Sequence, residues 1–360
     1  MATRCWRISC DLPASATGRW RHDGRWRARA DRQRRDPSFR RDGNPVRTGV
    51  QRRRGTGIRR RSADGAEDAR RDGGRPRGAV EALQAHSLAV RAPDNAIDTC
   101  GTGGDGLNSR NVSTAAAIVV AACGVAVAKH GNRSATSRSS SAGVLEALGV
   151  QVDLPPSAVE TCLQRLGIGF MLANRYHAAM AQVAPVRRAL GVPTLFNLIG
   201  PLANPGRVRH QIVGVYDPRW LDPMAHALRR LGVTRAWVVH GAGGMDELSP
   251  AGASQIVMLA GETFVRETVH PEAIGLHVHP VSALAGGDAA DNAQALRRLL
   301  AGEPGAYRET VLLNAAAALQ VAGKAADWRE GIGQAASAID SGAAARLLDA
   351  WAALSQDLRA

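Results

Sequence analysis

The stretch Asp98-Thr-Cys-Gly-Thr-Gly-Gly-Asp-Gly106, followed by Asn111-Val-Ser-Thr114 and Lys129-His-Gly-Asn-Arg-Ser134, decides the fold of this 360-residue chain. Four glycines within six residues allow backbone N–H groups to converge on an anion. A helix is predicted to begin near Asn111, and a helix N-terminus with its free donors suits a phosphate. The apolar run 125–128 predicts a buried strand that brings Lys129 to the same rim. This order predicts an α/β site for a highly phosphorylated ligand.

Each part of this stretch has an ordinary structural explanation when it is taken alone. A glycine-rich loop can be a plain turn, Asn111-x-Ser-Thr114 can be a helix cap, and Lys129-His-Gly-Asn132 can be a solvated turn. Neither the Walker pattern nor the dinucleotide G-x-G-x-x-G with a distant acid is present. The order and spacing of the three parts together favour phosphate binding.

Positive charge is concentrated at the N-terminal end of the chain. The first 77 residues contain 23 arginines, no lysine and nine acidic residues, so they carry the whole formal net charge of +14. The remainder is formally neutral, which argues against nucleic-acid binding by that part. Only seven residues among the first 77 are Ile, Leu, Val, Met or Phe, so this segment cannot bury a core and we expect it to be disordered.

Three origins are open for the arginine-rich segment 1–77. It is a frame error or mispredicted start, a basic arm with Trp6, Trp20 and Trp26 as stacking residues, or an organelle transit peptide. Runs of arginine with glycine, proline and alanine are typical of a GC-rich gene read out of frame. We therefore favour the first origin.

The cysteines and the hydropathy indicate a cytoplasmic protein. The five cysteines form no C-x-x-C pair and show no metal-ligand spacing, which fits a reducing compartment. No apolar run is long enough to span a membrane, and no signal-peptide core is present.

Hydrophobic periodicity predicts helices and strands along the rest of the chain. An amphipathic helix is predicted over 79–89, and Ser157 is a candidate cap for a helix ending near residue 166. The other predicted helices are 115–123, 139–148, further helices between 169 and 190, 220–231, 292–300, 307–322, 328–340 and 343–354. The predicted strands are 211–216, 235–240, 254–259 and 263–269, the last two antiparallel.

The three motifs resemble the signature of the anthranilate phosphoribosyltransferase family. The resemblance continues through Phe196-Asn-Leu-Ile-Gly-Pro-Leu-Ala-Asn-Pro205, residues 241–247 and Val311-Leu-Leu-Asn-Ala315. It covers about residues 78–360 and not the first 77. It implies an α/β fold in which a large domain with a mixed sheet carries a small helical domain, here incomplete, with parts at 78–90 and 155–190.

The resemblance implies transfer of phosphoribose from 5-phosphoribosyl 1-pyrophosphate (PRPP) to anthranilate, with Mg²⁺ on the leaving group and no covalent protein nucleophile. It assigns Ser113, Asp246 and Glu247 to Mg²⁺, and Gly101, Asn132 and Arg187 to anthranilate. The residues implied to bind PRPP are Gly101, Gly104, Asp105, Ser109, Asn111, Val112, Ser113, Thr114, Lys129, His130, Gly131, Asn132, Arg133, Ser134, Ala135, Thr136, Ser137 and Ser141.

Two of these assignments also have a physical basis in the sequence. Asp246 and Glu247 follow an apolar strand and a glycine-rich turn, so they are expected at the carboxyl edge of the sheet, with oxygen ligands that Mg²⁺ prefers. A guanidinium such as that of Arg187 can meet a carboxylate through two parallel bonds. The alternatives are a solvated acidic loop and a surface arginine. His130 and His177 are expected to have structural roles.

Two other functions are weighed against phosphoribosyl transfer. A pyrimidine nucleoside phosphorylase would share the fold and a related glycine loop, and a catalytically silent paralogue would bind nucleic acid. The motif Lys129–Ser134, the Asp246-Glu247 pair and the intact glycine signature favour the transferase.

The family implies a homodimer formed through the small helical domain, whose opening helices are replaced here by segment 1–77. We therefore expect an exposed apolar patch formed by Leu163, Leu166, Met180 and Val183, with poor solubility or weak activity of this chain.

Overall fold

The computed structural model describes residues 18–20, 26–28, 80, 83–133, 139–178 and 195–359. The chain divides into two units, Met1–Arg61 and Ser62–Ala360. In the first unit, strands β1 (Gly18–Trp20) and β2 (Trp26–Ala28) pair antiparallel, with Trp20 opposite Trp26. This pairing departs from the disorder predicted for 1–77, and aromatic residues favour strands. Otherwise that prediction lies outside the described residues.

The second unit is built on a seven-stranded sheet, and its mixed character is what the resemblance implies. Its strands are β3 (Ile97–Gly101), β4 (Val127–Gly131), β5 (Ile168–Leu172), β6 (His210–Gly214), β7 (Arg235–His240), β8 (Ser254–Ala260) and β9 (Thr263–Val269). The order across the sheet is β5-β4-β3-β6-β7-β8-β9. The first five strands are parallel, and β8 and β9 are antiparallel.

Helices cover the sheet on both faces. They are α1 (Val112–Ala122), α2 (Ser141–Ala147), α3 (Pro156–Leu166), α4 (Ala173–Tyr176), α5 (Leu195–Ile199), α6 (Leu221–Arg230), α7 (Ala289–Leu300), α8 (Ala306–Val321), α9 (Trp328–Asp340) and α10 (Ala343–Asp357). Helix α1 is almost wholly buried between the sheet and α8, which explains its uninterrupted apolar sequence. On the other face, α6 packs on β7 and β8.

The two hydrophobic clusters on these faces form the core. Of the cysteines in the described residues, Cys100, Cys123 and Cys162 are free thiols. No helix in the described part of the chain is long and apolar enough to cross a membrane.

Three local predictions are wrong. The helix predicted over 79–89 ends at Ala85, and Leu88, outside the helix, donates its N–H to Tyr176 O (3.1 Å). Ser157 does not cap α3, because the helix already begins at Pro156. Residues 168–172 form β5 rather than a helix, because their backbone pairs along the whole of β4.

The residues around α3 belong to the α/β core rather than to a separate helical part. Helix α3 packs against β5 and α10, and Leu163 is 2 % exposed. Leu166 packs partly against the same core. The patch predicted from Leu163 and Leu166 is therefore not exposed, while Met180 and Val183 lie outside the described residues.

Candidate active site

The candidate site lies at the carboxyl ends of the neighbouring strands β3 and β6. The chain proceeds from β3 towards β4 on one side and from β6 towards β7 on the other, and a crevice opens where strand order reverses in this way. Gly101 and Gly214 end these strands and are register partners. A Cβ at Gly101 would lie 2.2 Å from Asp246 Oδ2, and one at Gly214 would lie 1.4 Å from the Asp246 backbone O. Glycine at both positions allows the Asp246 loop to rest on the strand ends.

The glycine loop after β3 connects the strand to this acidic loop. Gly103, Gly104 and Gly106 have φ angles of 66°, 88° and 72°, a region that other residues rarely adopt. The Gly103 N–H donates to Asp246 Oδ2 at 2.6 Å. Asp105 accepts from the Leu107 N–H at 3.1 Å and lies close enough to Asp246 to affect its ionisation. The loop therefore brings backbone donors and a third carboxyl group to the acid pair.

Asp246 and Glu247 are half-buried carboxyl groups with altered ionisation. Burial, together with the negative charge of Asp105, raises the pKa of Asp246 from 3.8 to about 7. Burial and neighbouring Asp246 raise the pKa of Glu247 well above its usual 4.5. Glu247 Oε1 accepts from the Ser113 N–H at 2.8 Å, whereas no described residue donates to the buried Oε2 atom. Such a pair favours a bound cation.

These residues fit a magnesium ion that is shared with a substrate. Among the described residues, no group of three or more His, Cys, Asp or Glu side chains forms a complete metal site. Mg²⁺ does not need such a cage, because it is usually held by one or two carboxylates, water and substrate phosphates. The unpartnered Glu247 Oε2, the raised pKa values and the adjoining Ser113 hydroxyl agree with the predicted set Ser113, Asp246 and Glu247.

Lys129 lies beneath the site rather than on an open rim. Its side chain is buried, and Nζ donates to Thr99 O and to Ser113 Oγ, the latter at 3.4 Å. Burial lowers the pKa of Lys129, and the nearby Asp98 partly counteracts this. The strand predicted over 125–128 lies instead at Val127–Gly131, so Lys129 is its middle residue rather than the residue after its end, and its ammonium group contacts Ser113 from within the sheet.

The N-terminus of α1 faces the same crevice. The helix begins at Val112, and the side chain of Asn111 makes no cap hydrogen bond, which excludes the simple capping explanation. Val112 is fully buried, so its side chain is not available to a ligand. The Thr114 hydroxyl is buried with no partner among the described residues, and Ser109 forms a β-bridge with Ala285.

The end of β4 and the residues that follow it have two kinds of contact: some lie beside Ser141, and one pairs with helix α2. A Cβ at Gly131 would lie 2.5 Å from Ser141 Oγ, and Ser141 donates to Asn132 O at 3.5 Å, so these three lie together. Arg133 instead forms an ion pair with Glu146 on α2. Its side chain is therefore engaged on that helix.

His130 and His177 form a buried edge-to-face pair with ring centroids 5.2 Å apart. His130 Nδ1 lies 3.2 Å from Gly200 O, and the backbone of Ala203 and Leu83 lies close enough to the His177 ring to oppose the lowering of its pKa by burial. Burial, reinforced by His177, lowers the pKa of His130 to about 3, so the ring is neutral. Both histidines are buried, and the structural role expected for them stays a prediction.

Several predicted site residues lie outside the described part of the chain. The anthranilate assignment of Arg187 and the PRPP assignments of Ser134, Ala135, Thr136 and Ser137 remain predictions.

Asn204 is a structural determinant of the site that the sequence prediction did not assign. Its Nδ2 donates to Asp98 Oδ2 (2.8 Å) and to Ala128 O (3.0 Å), which joins β3 to β4. Asp98 is fully buried, and burial raises its pKa to about 6. The signal was present in the sequence, because Asn204 belongs to the motif that ends at Pro205.

Asn314 holds the acid pair from the other side. Its Oδ1 accepts from the Leu248 N–H (3.0 Å), and its Nδ2 donates to Leu248 O and Thr310 O (both 2.9 Å). Leu248 directly follows Glu247, so Asn314 fixes the backbone of the acidic loop. This residue was also missed, although it lies in the motif Val311–Ala315.

Replacing Asn314 with alanine is expected to lower the free energy of unfolding by about 2–4 kcal/mol, because buried groups of Leu248 lose their partners. Urea unfolding monitored by circular dichroism measures the effect. Gln320→Ala on the same helix is the control, since its side chain is partly buried and donates at 3.5 Å to Ala316 O, and it should cost less than about 1 kcal/mol. Equal losses for the two variants would contradict the assigned role of Asn314.

Comparison with known proteins agrees with this geometry. Residues 93–345 match the model of the "Glycosyl transferase family, a/b domain". The chain is 54 % identical over 266 residues to the anthranilate phosphoribosyltransferase of Parvibaculum lavamentivorans. The matched stretch covers 74 % of this chain and 78 % of that protein. It is 50 % identical over 276 residues to that of Novosphingobium aromaticivorans, covering 77 % and 84 %.

Solved structures give the same result. The crystal structure of anthranilate phosphoribosyltransferase from Thermus thermophilus superposes with a TM-score of 0.74 at 44 % identity, covering 78 % of this chain and 84 % of that one. The Saccharomyces cerevisiae enzyme in complex with PRPP and Mg has a TM-score of 0.72 at 31 % identity, covering 78 % and 80 %. The chain belongs to the anthranilate phosphoribosyltransferase family.

Proposed function

We propose that this chain transfers the phosphoribosyl group of PRPP to the amine of anthranilate, giving N-(5-phosphoribosyl)anthranilate and pyrophosphate in tryptophan biosynthesis. The observation that supports this most directly is the Gly101–Gly214 pair with Asp246 resting on it, between a glycine loop and the N-terminus of α1. This arrangement offers backbone donors to phosphates and carboxylates to a cation at one point of the sheet.

In the proposed reaction, the anthranilate nitrogen bonds to C1 of the ribose as the C1–O bond to pyrophosphate breaks. The nitrogen loses one proton, and the departing pyrophosphate takes up the electron pair. Backbone N–H groups of the glycine loop and of the start of α1 stabilise this growing negative charge. Lys129, held beneath Ser113, adds a positive charge to the same region.

We propose that Asp246, Glu247 and the Ser113 hydroxyl hold Mg²⁺ when PRPP is bound. A bound Mg²⁺ neutralises charge on the pyrophosphate oxygens. The protein in turn keeps two half-buried carboxyl groups beside the glycine loop, where Asn314 and the two strand-end glycines fix their backbone. The PRPP and Mg named for the yeast structure support this proposal.

Arg187 is proposed to bind the anthranilate carboxylate. We expect Arg187→Ala to raise the KM for anthranilate about tenfold to 150-fold, because a hydrogen bond to a charged group contributes about 1.5–3 kcal/mol. The KM for PRPP should stay within about twofold of the wild type. Steady-state kinetics with each substrate varied in turn measures this, with Arg188→Ala as the neighbouring control. Unchanged dependence on anthranilate would remove Arg187 from the pocket.

We further propose that the protein acts in the cytoplasm as a homodimer. Three free thiols in the described residues fit a reducing compartment. The dimer rests on resemblance alone, and multi-angle light scattering of the purified protein tests it.

The proposed activity is tested by following the fall in anthranilate fluorescence in the presence of PRPP and Mg²⁺. Consumption of anthranilate that stops when EDTA is added is the expected result. Phosphorolysis of thymidine or uridine at a higher rate would instead indicate the nucleoside phosphorylase, which the relatives described above do not favour.

A further inference from the structure

Asn292, in the first turn of α7, has an amide whose orientation is fixed. The side chain is buried, with 2 % exposed. The Gly287 backbone N–H donates to Asn292 Oδ1 at 2.9 Å. A backbone N–H can only donate, so the oxygen of Asn292 must face Gly287 and the nitrogen must face the other way.

The Asn292 nitrogen fixes a second amide, that of Asn111. Asn292 Nδ2 donates to Asn111 Oδ1 at 3.0 Å, and Ser139 Oγ donates to the same oxygen at 3.2 Å. Because Oδ1 of Asn111 is engaged on this side, its NH₂ group faces away from Asn292. None of the described residues accepts a hydrogen bond from Asn111 Nδ2. Asn111 therefore presents the two N–H donors of its amide beside the N-terminus of α1.

The backbone of Asn111 is held as firmly as its side chain. Its carbonyl oxygen accepts from the Ala115 N–H (3.1 Å) and from the Tyr307 hydroxyl (3.3 Å). The loop before α7 also pairs with residues 108–110, which lead into α1, since Arg110 N–H donates to Leu284 O and Gly286 N–H donates to Asn108 O, both at 2.9 Å. Asn292 is thus attached to the segment that it orients.

We propose that Asn292 is a positioning residue that turns the NH₂ group of Asn111 towards an ionised phosphate oxygen of PRPP. Such an oxygen only accepts hydrogen bonds, so an Asn111 amide rotated by 180° would place an oxygen against it. The proposal rests on the proposed function, because PRPP is taken as the ligand. It adds a residue that does not itself touch the substrate.

The test is PRPP binding to the full chain with Mg²⁺ and no anthranilate, measured by isothermal titration calorimetry at pH 8. Asn292→Asp keeps an acceptor for Gly287 but sets an oxygen against Asn111 Oδ1. We expect the Kd for PRPP to rise about tenfold or more, as for a lost hydrogen bond to a charged group. The KM for anthranilate at saturating PRPP should be unchanged. Asn292→Ala, which introduces no buried charge, should raise the Kd by a smaller factor.

Two controls separate positioning from a loss of structure. Asp288→Ala removes the cap of α7, whose oxygen accepts from the N–H groups of Ala290 and Asp291, and should lower the thermal midpoint without changing PRPP affinity. In an Asn111→Ala background, Asn292→Asp should cause no further loss of PRPP affinity, because its effect passes through Asn111.

A lower thermal midpoint with unchanged PRPP affinity in both Asn292 variants would overturn the proposal. So would a loss of PRPP affinity on Asn292→Asp that is as large in the Asn111→Ala background as in the wild type. The proposed function fails separately, if the wild-type chain binds PRPP but does not consume anthranilate. PRPP binding that weakens in the Asn292 variants would then still support the positioning role.

Discussion

Gly214→Ala is expected to lower phosphoribosyl transfer by roughly a hundredfold or more, because even a displacement of about 1 Å near reacting groups can cost that much. The added Cβ would lie 1.4 Å from Asp246 O, 2.2 Å from Asp246 C and 3.0 Å from Glu247 N. All three are backbone atoms, which cannot rotate away as a side chain can. The acidic loop must therefore move off the strand ends, and both carboxyl groups move with it.

Two other glycine substitutions provide a graded comparison. Gly101→Ala meets chiefly the Asp246 side chain, with Oδ2 at 2.2 Å, so it should reduce activity less than Gly214→Ala. Gly333 lies on the exposed face of α9 with nothing within 4 Å of an added Cβ, and Gly333→Ala should stabilise the protein by about 0.5–1 kcal/mol with activity unchanged. Transfer assays and urea unfolding measure the series. Full activity in a folded Gly214→Ala protein would contradict this account of the site.

The sequence predicts the regular part of this fold well, because hydrophobic periodicity is a local property. Strands β7 and β9 and helix α9 have the predicted bounds, and the antiparallel pair at the sheet edge is confirmed. Strand β5 is missed, because a short apolar run cannot be told from a buried helix by periodicity. What decides its structure is pairing with β4, which is a tertiary contact.

The site shows the same division between local and long-range information. The glycine loop, the start of α1 and the acid pair are found from motifs. By contrast, nothing local distinguishes Gly214 from any strand-end glycine, since its importance depends on Asp246 crossing above it. Likewise, the burial of Lys129 and the pairing of Arg133 with Glu146 are decided by neighbours distant in sequence.

Neutralising the acid pair is expected to reduce activity and to stabilise the ligand-free protein. In Asp246→Asn/Glu247→Gln, transfer should fall by on the order of 10²–10³-fold, because Mg²⁺ loses its charged ligands and metal stabilisation contributes several kcal/mol. The amides can still accept from the N–H groups of Gly103 and Ser113, so the loop keeps its hydrogen bonds. Steady-state transfer assays measure the loss.

The gain in stability follows from the ionisation of the two carboxyl groups. The pKa of Asp246 is about 7 in the folded protein against an ordinary 3.8, so the folded state binds more protons than the unfolded state between these values. Stability from this group is therefore complete below about pH 4 and is lost as the pH rises through 7. The raised pKa of Glu247 acts in the same direction.

The amide variant should therefore have a flatter stability profile above pH 4, with a free energy of unfolding at pH 8 higher than the wild type's by on the order of a few kcal/mol. Urea unfolding at several pH values measures this, and Glu267→Gln, an exposed position on β9, is the control expected to change neither stability nor activity. Added Mg²⁺ should narrow the difference by stabilising only the protein that retains the carboxylates. An amide variant no more stable than the wild type at pH 8 would show that ionisation of the acid pair does not oppose folding.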